Sequence, residues 1–126
     1  MDEICELEFR EAVTVDPDRL VELCVSMGEL QAEGMITTAV EELARGMVDL
    51  DAGYSAQNLQ VMEQRANVLA KTAQHIGMVT FARVAEDVAD CARVGHWLPL
   101  AATVMRLRRI ADRSLNAVWE MQDISV

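Results

Sequence analysis

Aromatic residues, prolines and lysines are scarce in this sequence, and long apolar runs are missing. Aromatic residues make up 4% of the chain, and the only lysine is Lys71. Strands are usually rich in aromatic and β-branched residues, so this scarcity, together with eight methionines, favours helices. A membrane-spanning helix needs about 20 consecutive apolar residues, and no such run occurs, so none is expected.

Sequence motifs for metal or phosphate chemistry are also missing. The chain has no Cys-x-x-Cys pair and no glycine-rich phosphate loop. Helical bundles bind two metal ions through Glu-x-x-His pairs, but Thr72 lies three residues before His75 and Arg93 lies three residues before His96. No serine or cysteine has an evident histidine partner. We therefore expect no metal, no cofactor and no enzymatic activity from this chain alone.

The charge and the cysteines restrict the partners and the compartment. A formal net charge of −10 argues against nonspecific binding to nucleic acid or to an anionic membrane, because both require a positive field. The three cysteines are an odd number without a preceding signal peptide, which predicts buried thiols in a reducing cytoplasm. The only local concentration of arginines is interpreted as a solvated helix face, with a phosphate or carboxylate site as the alternative: Arg106, Arg108, Arg109 and Arg113.

The length of 126 residues and the hydrophobic fraction of 52% predict one domain with a buried core, residues 1–126. Apolar residues recur at alternating steps of three and four, Asp16-Pro17 is a helix start, and Asp49–Ser55 is predicted to be a turn. The predicted architecture is all-α, an up-down antiparallel four-helix bundle with a short extra N-terminal helix. The predicted segments are a leading helix in residues 1–15, a segment from 16 that Gly28 interrupts, then 29–50, 55–76, 78–94 and 98–121.

The helix from Leu59 to Gly77 is the central element of this pattern. Gly77 follows its last apolar residue and is predicted to be its C-terminal cap. The predicted inward positions are Leu59, Met62, Ala66, Leu69, Ala73 and Ile76. The opposite face is polar but almost uncharged, which is unusual for an acidic protein and indicates a binding surface: Gln60, Gln64, Asn67, Lys71 and Gln74.

Residues 66–77 read Ala-Asn-Val-Leu-Ala-Lys-Thr-Ala-Gln-His-Ile-Gly, and Phe81, Arg93 and Gly95 follow. In these positions the chain resembles the histidine-containing phosphotransfer (HPt) domains of bacterial phosphorelays, and the looser helix pattern extends this resemblance over about Asp16 to Met121. The resemblance implies a helical bundle with a role in two-component signalling.

The sequence departs from the family motif at its reactive positions. The phosphorylated histidine of the family falls on Asn67, its lysine on Ala70 and its glycine on Lys71. An amide nitrogen shares its lone pair with the carbonyl group and is not a comparable nucleophile. The resemblance therefore implies a non-phosphorylatable protein that binds a response-regulator receiver domain or a histidine kinase. The predicted partner-binding residues are Gln64, Asn67, Ala70, Lys71 and Gln74.

Two alternatives remain open at this point. The first is an active phosphotransfer protein that uses His75 or His96. His75 lies eight residues after Asn67, about 12 Å along the helix axis, so a flanking structural role is favoured for it, and an exposed or capping role for His96. The second alternative is a purely structural or oligomeric bundle, such as a homodimer.

Overall fold

The protein is all-helical over residues 16–124, which a computed structural model describes with side chains up to residue 113. Within this range there are five helices and no strands, so the all-α prediction is confirmed. The helices are α1 (Pro17–Met27), α2 (Glu29–Ser55), α3 (Leu59–His75), α4 (Val79–Val94) and α5 (Trp97–Ile124). The leading helix predicted in residues 1–15 lies outside the described residues.

The helices pack in a bundle-like arrangement in which each contacts the next along the chain, and α2 also contacts α5. Among residues 16–124, no helix combines the length and apolar character needed to cross a membrane. The core contains the inward positions predicted for the longer helices. The buried members are Ile36, Val40, Leu43, Met47, Leu50, Met62, Ala66, Leu69, Ala73, Ile76, Phe81, Val84, Val88, Leu100, Val104, Leu107 and Ala111.

Polar caps set the first residues of α1 and α3. The Asp16 carboxylate accepts a hydrogen bond from the Asp18 N–H at 3.0 Å, and Pro17 occupies the first helical position, so the predicted helix start is confirmed. The Asn58 side-chain oxygen accepts from the Val61 N–H at 3.2 Å at the start of α3. Each cap satisfies a backbone donor that has no partner within its own helix.

Gly77 ends α3 as predicted. Its φ is +75°, a left-handed conformation that glycine adopts without strain. The Met78 N–H donates to the Ala73 carbonyl at 2.9 Å and the Gly77 N–H donates to the Gln74 carbonyl at 3.1 Å, the pair of bonds of a Schellman cap. The Asp16 N–H donates to the Gly77 carbonyl at 2.7 Å, which holds the start of α1 against the end of α3.

The turn predicted at Asp49–Ser55 is wrong, because α2 continues through these residues and the chain turns at 56–58. Gly53 is buried inside α2. A Cβ atom at Gly53 would lie 3.2 Å from Val61 Cγ1 and 3.3 Å from Met62 Cγ. The glycine therefore allows α2 and α3 to pack closely, and this packing outweighs its low helix propensity.

The prediction of buried thiols is wrong for Cys24, which is exposed, while Cys91 is partly buried and packs against the core. Helix α1 is short and buries only Leu23 completely, so the neighbouring Cys24 faces away from the core. Cys5 lies outside the described residues.

The Arg108 side chain on α5 contacts two residues of α2, Asp51 and Tyr54. Its Nη2 and Nε atoms lie 2.7 and 2.8 Å from Asp51 Oδ1, and its guanidinium carbon lies 5.9 Å from the centre of the Tyr54 ring. Arg106 and Arg109 are exposed, as expected for a solvated helix face. For Arg108 this interpretation is incomplete, because its side chain also forms these contacts with α2. A half-exposed ion pair of this kind contributes about 0–1 kcal/mol, so it directs the packing more than it stabilises it.

Two glycines of α2 allow a matched test of this packing. A Cβ at Gly46 would lie 2.6 Å from Cδ2 of the buried Leu69, whereas a Cβ at Gly34 would meet no atom within 4 Å. Gly34→Ala should stabilise the protein by about 0.5–1 kcal/mol through helix propensity. Gly46→Ala should be less stable than Gly34→Ala by about 1–3 kcal/mol, because the core around Leu69 must shift. Urea unfolding of both variants measures the difference, and equal stabilities would contradict the close α2–α3 contact.

Candidate partner-binding site

Four of the five residues predicted to bind a partner lie together on the exposed side of α3: Gln64, Asn67, Lys71 and Gln74. Their steps of three, four and three residues place them along one stripe of the helix surface. Val68, which is 56% exposed, lies within the same stripe. Val68 was not predicted to belong to this surface, because the face was identified by its polarity and a lone exposed valine gives no polar signal.

Ala70 does not belong to this surface. It is 4% exposed and is part of the core, so its prediction as a partner-binding residue is corrected. Helix α3 packs against both α2 and α4, and its buried arc is therefore wide enough to include Leu69 and Ala70 side by side. No partner can therefore reach Ala70 without a rearrangement of the packed helices.

Gln74 is already engaged within the chain. Its amide Nε2 donates to Oε1 of Glu86 on α4 at 2.9 Å. This bond orients Gln74 toward α4 and places a carboxylate at that margin of the exposed stripe. A partner that contacts Gln74 would therefore meet Glu86 as well.

Lys71 lies at the opposite margin, beside a surface groove of about 440 Å³ between α2 and α3. Lys71 has no ion pair within the part of the chain that the structure describes. The groove is lined by Gly34, Met35, Thr38, Ala39, Glu42, Lys71, Thr72 and His75. The α2 side of this groove was not predicted from the sequence, although the absence of a side chain at Gly34 was a visible signal.

Both histidines are exposed, His75 at the end of α3 and His96 just before α5. His75 lines the groove on the last turn of α3, and its carbonyl accepts a hydrogen bond from Arg19 Nε at 3.0 Å. His96 precedes α5, and its carbonyl accepts from the Leu100 N–H at 3.0 Å. Within residues 16–113, no group of three or more His, Cys, Asp or Glu side chains is placed to hold a metal ion.

Comparisons of the chain with models of known protein families, with characterised proteins and with solved structures find no significant match. The resemblance to HPt domains therefore rests on the residues of this sequence alone. Among the residues that the structure describes, the exposed stripe of α3 is mostly polar and includes a lysine, Lys71, without an ion pair, which is suited to binding.

Substitutions on α3 should separate this surface from the core. Asn67→Ala and Lys71→Ala should change the free energy of unfolding by less than about 0.5 kcal/mol, because both side chains are exposed. Ala70→Gln should destabilise by about 2 kcal/mol or more, because it forces a larger polar group into a filled core. Urea unfolding measures all three, and a silent Ala70→Gln would contradict the burial of Ala70.

Proposed function

We propose that this protein is an HPt-like docking protein of two-component signalling, which binds a receiver domain or a histidine kinase and does not carry phosphoryl groups. In this proposal the four longer helices form an up-down antiparallel bundle with α1 as the extra element, and the protein acts in the cytoplasm. The observation that carries the proposal is the exposure of Asn67 and Lys71 one turn apart on α3, at the positions of the family's phosphohistidine and glycine.

The identity of residue 67 separates binding from transfer. An imidazole presents a free lone pair to phosphorus, whereas the amide of Asn67 does not, so a docked phosphoryl group would have no acceptor. A partner bound here would be sequestered without losing its phosphate. The protein would act by competition with active phosphotransfer domains for the same partner.

Lys71 gives the surface its charge preference. Receiver domains, as partners of the HPt family, present an acidic pocket at the phosphorylated aspartate. An exposed lysine without an ion pair in the described residues is available to that pocket. Such pairing raises the association rate and fixes the partner's orientation more than it adds affinity.

An active phosphotransfer protein is the second candidate, because the His75 side chain is exposed at the rim of the groove. His75 lies about 12 Å from Asn67 along the helix axis. A partner would therefore have to dock on this protein differently from the way that partners dock on HPt domains. A structural homodimer is the third candidate and would cover Asn67 and Lys71.

Charge reversal of Lys71 tests the docking surface. We expect Lys71→Glu to weaken binding of a receiver domain from the same organism by about tenfold, because it places a carboxylate against the acidic pocket. Arg106→Glu makes the same charge change at an exposed position on α5. It should leave the affinity within about twofold, because residue 106 is outside the proposed docking surface and its charge acts on the partner only through a long-range interaction that salt screens. Isothermal titration calorimetry measures both, and equal losses would rule out this docking surface.

Phosphotransfer separates the candidates. The native chain, Asn67→His and His75→Ala are incubated with phosphorylated receiver domains, and label on the protein is measured. We expect no label on the native chain and label on Asn67→His, because the substitution restores the nucleophile on an intact docking surface. Label on the native chain that disappears in His75→Ala would establish the second candidate. Absence of label on every variant would favour the structural bundle.

A further inference from the structure

The groove between α2 and α3 lies along two helices whose register is set by two close contacts. Gly46 packs against Leu69 and Gly53 packs against Met62, so seven residues separate the contacts on each helix. The two helices are therefore antiparallel, and residues equally far from the Gly46–Leu69 contact lie at the same level. With a rise of about 1.5 Å per residue, the position of each lining residue along the groove follows from its number.

One end of the groove carries two opposite charges that do not pair with each other. Lys71 of α3 lies about 3 Å and Glu42 of α2 about 6 Å along the axis from the Gly46–Leu69 contact. Both side chains are exposed and line the groove, and within the described residues neither has an ion pair. Thr72 lies at the level between them, and its hydroxyl has no hydrogen bond among the same residues. A ligand that carries an ammonium and a carboxylate close together would satisfy both charges.

The other end of the groove is apolar and open. Ala39 and Met35 lie about 10 and 16 Å along the axis from the same contact, and Gly34 lies about 18 Å from it. A Cβ atom at Gly34 would meet no atom within 4 Å. The side chains of His75 and Thr38 line the middle of the groove. An apolar group that extends from the charged end therefore has both room and apolar contacts.

We propose that this groove binds an apolar α-amino acid. Its carboxylate pairs with Lys71, its ammonium pairs with Glu42, and its side chain extends toward Met35 and Gly34. An α-amino acid carries both charged groups on one carbon, which matches the separation of about 3 Å between the levels of Lys71 and Glu42. A simple carboxylic acid would leave Glu42 unpaired beside a second carboxylate, and an amino acid with a small side chain would leave the apolar end empty.

The binding of an amino acid does not depend on whether the protein docks a receiver domain. Lys71 also belongs to the proposed docking surface, so the consequence that the amino acid competes with a receiver domain rests on the function proposed above. Glu42 lies outside that surface and separates the two proposals. Glu42→Gln should weaken the binding of the amino acid and leave the affinity for a receiver domain within about twofold.

Titration of the ¹⁵N-labelled full-length protein with L-leucine, L-methionine and L-phenylalanine, followed by amide chemical shifts, tests both the binding and its location. We expect saturable shifts at the residues that line the groove. 4-Methylpentanoate is leucine without the ammonium, 3-methylbutylamine is leucine without the carboxylate, and glycine lacks the side chain. Each should bind about tenfold more weakly than L-leucine, because each loses one of the three contacts. No saturable shift with any of the three amino acids, shifts confined to other parts of the protein, or equal binding of 4-methylpentanoate would overturn the proposal.

Charge removal tests the two ends of the amino acid head group. Glu42→Gln and Lys71→Met should each raise the dissociation constant for L-leucine about tenfold. The matched controls Glu41→Gln and Arg45→Gln each remove one charge at an exposed position of α2 that does not line the groove. They should leave the dissociation constant within about twofold. Equal effects of the test and control variants would overturn the proposal.

Gly34→Leu tests the apolar end without changing a charge. The new side chain enters open space and has a higher helix propensity than glycine, so the variant should remain folded. It fills the room that the ligand's side chain would occupy, so the affinity for L-leucine should fall toward that for glycine. An unchanged preference for L-leucine over glycine would overturn the proposal.

Discussion

The packing of α3 between α2 and α4 is the constraint on which the rest of the structure depends. Helix α3 contacts both α2 and α4, and small residues allow the helices to approach closely. The Leu69 side chain packs directly against Gly46 of α2, and Ala70 is buried in the core beside Leu69. A helix buried on two sides retains only its outer face, which includes the stripe of Gln64, Asn67, Lys71 and Gln74.

The two margins of the stripe differ in charge. Gln74 is bonded to Glu86 on the α4 side, whereas Lys71 opens onto the α2–α3 groove without an ion pair among the described residues. An acidic protein thus presents, among its described residues, a cation without an ion pair at one margin of its candidate site, where it can attract a carboxylate of a partner.

Much of the fold could be predicted because apolar spacing and end signals are local. The inward positions of α2, α3 and α4, the Asp16-Pro17 start and the Gly77 cap were each visible in the sequence and are confirmed. The predicted turn failed because glycine and aspartate give the same local signal in a loop and in a closely packed helix. Of the candidate site, the exposed residues Gln64, Asn67, Lys71 and Gln74 were predicted, but Val68 and the α2 side of the groove were not. No single-helix pattern specifies which side chains of a second helix lie opposite.

By itself the sequence determined the all-α class and the buried face of each long helix, because both depend on residue type and spacing along one element. Only the tertiary structure decided that Ala70 is buried, that Cys24 is exposed and that Lys71 opens onto a groove. These depend on how many neighbours each helix has and how closely they approach. Such distances arise from the packing of whole helices against one another, and no local stretch of the chain contains them.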